Sequence, residues 1–560
     1  MAAKITYYPA AVWPHLKIQT QAVSSADRPY CALTTALACW QEAGRPAPRK
    51  GVIKGPALTD ATDAEAVGRV LAREFGDQLV DWIRANFWAR SLRRDIKLDP
   101  AECITSVVNS EGKQHTLDSY QIEAMETLTP AGGGLDLDTG LGKTATGVCY
   151  ALSVAAQKYA APSRCWILCP LNAIPAWSVW VDELSAVFAD VRIVSVDSAH
   201  KLAGDGGDGG VLLLDEAHYL GGGRSRRTKA ATELRKSFDS SVCMTGTFLH
   251  GGIERTLPVL DLAIPGAAVF ASSWKCGARF DCVARKHIGT RTVHTLEKPR
   301  RSLRSEYFEY LALFVVSQDK SDDRIRAQIG LGDIDQEVIT EQVGDNFGRQ
   351  KEIDLWVQSA IELAGGDPTQ PPNAEVNAEL EWPHATAVMH AMARAGIDAK
   401  IEWIANTMED ADLPLVISAF YSESLDRLAE ALGAAGVSFV RVDGDVVGSE
   451  RDACMRAFQR GEVDVFLGQM IAASVSMNLQ CSCVSVAVDH CRVASAYYQF
   501  LGRTYRRGQT RDCLHVDLVA NDIQKAIVAR LRENIDFDAS CSEWQRMKRL
   551  NDEMRGGTHA

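Results

Sequence analysis

At 560 residues, 46% hydrophobic and 24% charged, the chain has the balance of a folded globular protein with room for about three or four domains, not of a disordered or fibrous one. No apolar run approaches the ~20 residues of a membrane span and Met1–Lys17 lacks a signal-like apolar block, so a cytoplasmic location is expected, nuclear if the source is eukaryotic and host cytoplasm if viral. A net charge of −12 excludes a uniformly basic binder but not a local basic track, and 15 cysteines, mostly in apolar segments, read as reduced buried thiols, not a disulfide framework.

Residues 1–113 carry no nameable motif. Apolar residues at helical spacing between Asp63 and Ile96 predict that the second half of this region is helical. Its end, "RSLRRDIK" at 90–97, reads either as a solvated helix end or as a DNA-facing patch. From 114 to 264, "CWILCP" (165–170), "VRIVSV" (191–196), "VLLLDEAH" (211–218) and "SVCMTGT" (241–247) are short apolar runs ending in small or polar residues. Between them lie helix-like segments, the pattern of a parallel sheet with helical crossovers. The same alternation returns over 385–535 in "PLVISAF", "VSFVRVDG", "VDVFLGQ", "CVSVAVDH" and "CLHVDLVA". The fold class is therefore α/β, with two blocks separated by a helical insertion at 265–384 that ends in the linker-like "AGGDPTQPPNAEVN". Residues 536–560 form a tail expected to fray. Cys481, Cys483 and Cys491 do not have a standard zinc spacing and are assigned to packing.

The chemistry begins at "LDLDTGLGKTATG", 135–147. A phosphate-binding loop follows G-x-x-x-x-G-K-[ST], and here the leading glycine is replaced by Leu137. The remaining parts are present: Gly140 and Gly142 for close backbone approach, Lys143 as the cation, Thr144 as a hydroxyl for Mg²⁺. Gly140, Leu141, Gly142, Lys143, Thr144 and Ala145 are thus the candidate contacts to ATP. Downstream, a buried strand runs into Asp215 and Glu216. Asp215 is placed to hold the metal, and Glu216 to orient and deprotonate the attacking water.

Together, "TGLGKT" and D-E-A-H at 215–218 resemble the Swi/Snf-type ATPases of helicase superfamily two, in which the leading glycine is commonly absent. Asp138 resembles the acidic residue that family carries before the loop. The resemblance implies two RecA-like lobes, at 114–264 and 385–535. It implies that Gln121 in "LDSYQIEAM" reads the adenine edge, with Tyr120 nearby. Pro170 and Trp177 in "CPLNAIPAWSVWVDEL" would lie at the nucleic acid. His218 and the Thr245, Gly246 and Thr247 of "MTGTFLHGG" would couple the ATP site to the second lobe; Phe248 stands where the family has proline. In "YYQFLGRTYRRGQT" (497–510), Gln499 joins the coupling set, and Arg503 and Arg506 are the finger and γ-phosphate sensor, in either order. Arg507 is an extra cation where the family has an apolar residue. Asp443, Gly444, Glu450, Arg451, Phe458 and Gln459 match a further family segment. In "AASVSMNL" (472–479), Ser474 and Asn478 would meet the phosphate backbone, and Ser476 replaces a glycine. The arginine pair that follows the first lobe in the family is reduced to Lys320. "FASSWKCGARFDC" and "RAGIDAK" faintly resemble the annealing-helicase, fork-remodelling branch.

These resemblances imply an ATP- and Mg²⁺-dependent translocase on duplex or forked DNA that remodels forks or displaces bound proteins, with RNA a further candidate partner and no membrane. A strand-separating DNA or RNA helicase is the alternative within the superfamily, and a non-catalytic, nucleotide-dependent DNA-binding scaffold the alternative outside it.

Overall fold

The computed structural model describes residues 3–7, 16–22, 51–54, 98–344 and 385–556, apart from breaks at 158–159, 203–208, 224, 250–251, 265–279, 289–290, 297, 313, 411–413, 447, 474–476 and 491–492. Two six-stranded parallel sheets carry the fold. The first is built from β1 (Gly132–Leu137), β2 (Arg164–Cys169), β3 (Asp190–Ser195), β4 (Val211–Asp215), β5 (Ser240–Thr245) and β6 (Val315–Gln318). Their order across the sheet is β6-β1-β5-β4-β2-β3. The second uses β7 (Gln336–Gln342), β8 (Leu415–Ala419), β9 (Phe439–Val442), β10 (Val465–Gln469), β11 (Val484–Ala487) and β12 (Cys513–Val519), ordered β7-β12-β11-β8-β10-β9. These are the two RecA-like lobes.

Each sheet is covered on both faces, which is why its strands read as unbroken apolar runs. Successive side chains alternate between two cores: Ile167 and Leu213 enter one, while Trp166, Leu168, Leu212 and Leu214 enter the other. The second lobe repeats this, with Val416 and Phe466 on one face and Ile417 and Leu467 on the other.

Strand order positions the chemistry. In lobe 1, β1, β5 and β4 are neighbours, with Asp136 paired to Thr245 and Met244 to Asp215. The loops leaving these strands are the phosphate loop, the T-G-T turn and the Asp215–Glu216 pair, so all three emerge side by side at one sheet edge. Four helices matter below. They are α1 (Ser119–Thr127), α2 (Lys143–Ala156), α3 (Arg226–Arg235) and α4 (Ala494–Leu501).

Several expectations are corrected. The stretch 265–384 is not simply helical: it supplies β6 to the edge of the first sheet, β7 to the edge of the second, and a hairpin of Val283–Ile288 with Arg291–Leu296. Edge strands of four to seven residues take their conformation from the neighbour they pair with, so local pattern under-reports them. Residues 541–556 do not fray. They continue a 35-residue helix, α5 (Asp522–Gly556), whose Cys541, Ser542 and Gln545 are buried. Gln545 donates to the Val315 carbonyl (3.1 Å) and accepts from the Ser317 amide (2.9 Å), so side chain and strand satisfy each other. The first 54 residues contain three paired strands, Ala3–Tyr7, Leu16–Ala22 and Gly51–Lys54, where no element was expected. The predicted helical stretch 63–96, the linker at 364–377 and nearly all of "FASSWKCGARFDC" lie outside the described residues. Among the described residues no helix is long and apolar enough to cross a membrane, and the cysteines are free.

One buried cation in lobe 2 gives the fold a pH signature. Lys400, 1% exposed, donates to the Val488 carbonyl, and burial lowers its ammonium to about 8 against the pull of Asp489 and Asp517. A folded-state value below the unfolded one means that between pH 8 and about 10.5 the unfolded chain binds a proton the folded chain has released. Stability from this group therefore rises with pH across that window. In urea unfolding, any stability advantage of Lys400→Met over the wild type is expected to shrink from pH 8 to 10.5.

Candidate functional site

The phosphate loop turns on two glycines with left-handed backbone, Gly140 (φ +84°) and Gly142 (φ +76°), which leads α2. Added Cβ atoms would lie 3.2 Å from Arg506 Cβ at position 140 and 2.4 Å from Gln121 Nε2 at position 142, so neither site admits a side chain without strain. Lys143 Nζ donates to the carbonyls of Leu137 (2.8 Å) and Asp138 (3.3 Å). The contribution of residue 137 is thus its backbone, and its side chain is fully buried, which is how leucine serves where the strict pattern has glycine.

Beside the loop, Asp138 is 6% exposed and lies 3.3 Å from Lys320 Nζ. It also takes hydrogen bonds from Thr139 and from Tyr498 of lobe 2. Burial alone would raise its carboxyl; Lys320 and these bonds outweigh that and hold it below the ordinary value. Lys320 in turn donates to the Tyr505 carbonyl of lobe 2 at 3.0 Å. This buried bridge is a site residue that sequence reasoning recognised only as the remnant of a motif.

At the end of β4, Asp215 accepts from Trp177 Nε1 (2.8 Å) and from the Glu216 amide (2.9 Å). Glu216 has φ +47°, a conformation rare outside glycine and characteristic of functional turns. Burial and the Glu216 charge push the Asp215 carboxyl up to about 6. Burial acts on Glu216 as well, but the hydrogen bond and charge of His218, with Lys143 and Arg503, hold it on the ionised side. Its Oε2 lies 3.3 Å from His218 Nδ1. His218 Nδ1 is 3.1 Å from Thr245 Oγ1, which is 3.0 Å from Thr247 Oγ1. Across the lobe boundary, Gln499 Nε2 donates to Glu216 Oε2 at 2.9 Å. The coupling residues named from sequence therefore form one hydrogen-bonded chain, with Gly246 at its turn: a Cβ there would meet the Leu137 carbonyl at 2.8 Å. Phe248 packs on β1, where a Cβ at Gly134 would come within 2.9 Å of its ring.

Gln499 sits on α4, and the arginines follow it. Arg503 Nε donates to the Gln499 carbonyl (3.0 Å) and Nη1 to Met477 (3.2 Å); Arg506 Nη1 reaches the same Met477 carbonyl (2.8 Å). Burial lowers both guanidinium groups, Arg503 to about 9 with Arg506 adding to it, and Arg506 to about 10. Two neighbouring desolvated cations, of which Arg503 interacts with Glu216, favour further negative charge between them. Arg507, the unexpected cation, pairs with Asp118 at the cap of α1.

The residues fit Mg²⁺. Thr144 at the start of α2 and Asp215 at the end of β4 are hard oxygen donors, and no cluster of three metal-ligating side chains exists among the described residues. Such a donor set suits an ion that keeps most of its shell from water and phosphate oxygens.

The helicase conserved C-terminal domain matches residues 399–508, which span most of lobe 2 and its arginines. The ISWI chromatin-remodeling complex ATPase CHR17 of Arabidopsis thaliana is 21% identical over 345 residues, 59% of this chain and 30% of that protein. A chromodomain-helicase-DNA-binding protein 1-like of Danio rerio is 33% identical over 104 residues, 19% of this chain and 10% of that one. Over these segments the chain is similar to Swi/Snf-type ATPases of helicase superfamily two. It spans less than a third of the length of these relatives. The SWI2/SNF2 ATPase core of Sulfolobus solfataricus in complex with dsDNA aligns over 76% of this chain and 90% of that one, at a TM-score of 0.35 and 15% identity.

Some expected contacts are placed differently. Gln121 does not present a free amide edge. It closes the cap of α1 by accepting from the Asp118 amide (2.8 Å), and it donates to Leu141, Gly142 and Thr146 Oγ1 at 3.1–3.3 Å. Its amide nitrogen is spent on the loop and its oxygen on the helix cap, so it braces the phosphate cradle. Trp177 is 1% exposed and belongs to Asp215, not to a nucleic-acid surface, and Pro170 is buried. A buried strand end needs its polar carboxylate satisfied, and the indole N–H does this. Asn478 is exposed, its carbonyl accepting from Gln459 Nε2 at 2.8 Å. Ser474 lies outside the described residues.

The lobes approach closely at Gly502, where a Cβ would come within 1.8 Å of Thr139 Oγ1. Gly502→Ala is therefore expected to prop the lobes apart and raise the radius of gyration in X-ray scattering. Adding Thr139→Gly should return it toward the wild-type value.

Proposed function

We propose that the chain is an ATP-driven translocase on duplex DNA, hydrolysing ATP between its two lobes and advancing along the phosphate backbone. The lobes are taken as 114–264 and 385–535, with 1–113, 265–384 and 536–560 around them. One observation carries the reading: Gln499, one turn before Arg503, is hydrogen-bonded to Glu216. The group suited to activate water and the cations suited to a transferring phosphoryl group thus share one lobe boundary.

In this reading Lys143 exchanges the Leu137 and Asp138 carbonyls for the β- and γ-phosphates. The amides of Gly140, Leu141, Gly142, Thr144 and Ala145 line the cradle. Glu216 orients a water for in-line attack at the γ-phosphorus and takes its proton; the bond to the ADP oxygen breaks, giving ADP and inorganic phosphate. Arg503 and Arg506 stabilise the charge on the equatorial oxygens. Thr144 and Asp215 would hold Mg²⁺, which supplies charge neutralisation at the phosphates. Lobe 2 roofs the cradle through Arg506 above Gly140, so nucleotide entry and release require the lobes to part, and that cycle of opening and closing is the step. Asn478 and Ser474 remain the proposed lobe 2 contacts to DNA. Forked DNA is the structure on which such a motor would remodel junctions or displace proteins.

The test is steady-state ATP turnover with no nucleic acid, duplex DNA, forked DNA, single strands or RNA, with Lys143→Ala as the blank. Duplex or forked DNA should stimulate most. Glu216→Gln should cost about 10²–10⁴-fold and Arg506→Ala about 10³-fold or more. Stimulation by single strands or RNA alone would point instead to a conventional helicase. Turnover untouched by Glu216→Gln would remove the carboxylate from the mechanism.

A further inference from the structure

We propose that Tyr497 and Asp517 are positioning residues for hydrolysis: their buried hydrogen bond sets α4 so that Gln499 and Arg503 arrive at Glu216. The proposal rests on the hydrolytic reading above and names what aims the lobe 2 half of that site.

Taken alone, α4 has little to fix it. It is eight residues long, and the residue leading it, Val493, supplies no side-chain cap. A helix of about two turns takes its place from tertiary contacts, not from its own ladder. Tyr498 and Gln499 direct their polar groups at lobe 1, to Asp138 and Glu216. Residues two apart on a helix lie about 200° around the axis, so Tyr497 faces away from Gln499. Its hydroxyl donates to Asp517 Oδ2 inside lobe 2 at 2.6 Å, and its ring is fully buried.

The acceptor is an unexpected residue for its position. Asp517 stands between Val516 and Leu518 in β12 and is fully buried. A carboxylate there costs stability unless it is answered by donors, and an apolar residue would fill the strand at lower cost. Its Oδ1 is met by His490 Nε2 (2.7 Å) and His515 Nε2 (3.1 Å), and its Oδ2 by Tyr497 and Arg532 Nη2 (2.7 Å). The two imidazoles also stand edge-on to the Tyr497 ring, with centroids 6.0 and 5.9 Å away. Burial by itself would raise the Asp517 carboxyl, but His515 and His490 bring it well below the ordinary range, so it stays an ionised acceptor.

One oxygen thus joins two helices. Oδ2 holds α4 through Tyr497 and α5 through Arg532, and α5 is held in turn to β6 of lobe 1 by Ser542 and Gln545. A shift of α5 against lobe 2 therefore reaches α4 through a single atom, and Gln499 moves with it. Arg503 follows, because its Nε is bound to the Gln499 carbonyl at 3.0 Å.

The test is Tyr497→Phe, which keeps the ring and leaves Asp517 its other three partners, so the fold should survive. Amide hydrogen exchange over residues 494–503 should quicken on the order of tenfold, while 513–519 stays at the wild-type rate. In ATP turnover with duplex DNA present, kcat should fall about tenfold or more and KM for ATP should stay within about twofold. Gln499→Ala should cause a similar loss, and the double variant should be little worse than Gln499→Ala alone, because both act through one contact. Unchanged exchange over 494–503 overturns the proposal. So do losses that multiply in the double variant, or a raised KM at constant kcat. Turnover that depends on Glu216 but ignores Tyr497→Phe sinks this proposal alone. Wild-type turnover that Glu216→Gln leaves untouched sinks the hydrolytic reading, and the positioning role with it.

Discussion

A single carboxylate, Glu216, is answered from both halves of the molecule, and the rest of the arrangement follows from that. Buried on a strained turn, it is tolerable as a charge only with partners. His218 comes from its own lobe; Gln499 and the field of Arg503 come from the other. When the lobes separate, the carboxylate keeps His218 and Lys143 but loses the Gln499 hydrogen bond and the Arg503 charge. Assembly of the site and closure of the lobes are therefore one event in physical terms.

The arginines impose the reverse constraint. Two guanidinium groups lowered by burial are unfavourable beside each other, and the carboxylate offsets only part of that. Something else must hold the lobes together, and the structure supplies it in lobe-spanning contacts: Lys320 between Asp138 and Tyr505, Arg507 on Asp118, and the side-chain-free approach of Gly502 to Thr139. A triphosphate entering this boundary brings the negative charge that the arginines lack. A bound triphosphate would thereby strengthen the closed state.

The two sheets and the order of chemistry along them were legible in the sequence because parallel strands buried on both faces announce themselves as apolar runs. Glycines and carboxylates at strand ends mark loops for the same reason. What escaped was set by contacts distant in the chain. β6 and β7 become strands by pairing with β1 and β12, and no local pattern in "VVSQ" states this. Trp177 and Gln121 were assigned to ligands because a family pattern names positions and not partners; the structure gives both to neighbouring loops. Lys320 and Arg507 looked like departures from a motif, and their burial or pairing across the lobes gives each a role that no one-dimensional reading contains.

Among the described residues the chain crosses between the lobes in two distinct places, and this limits how they can move. One crossing is the short stretch from β6 to β7, which ends on the edge strand of each sheet. The other is α5, about 50 Å long at 1.5 Å per residue, a rod rather than a tether. Its first half is fixed to lobe 2 through Arg532, which donates to the fully buried Asp517 at 2.7 Å, and its second half to β6 through Ser542 and Gln545. Both crossings converge on β6. Opening by translation would have to stretch a helix or break a buried ion pair. Rotation about the β6 edge leaves both intact and swings the far side, where Gln499 meets Glu216, through the largest arc. Such a hinge lies beside the phosphate loop, since β6 pairs with β1 and Lys320 just beyond it bridges to Asp138, while the Gln499–Glu216 hydrogen bond lies two strands farther across the sheet.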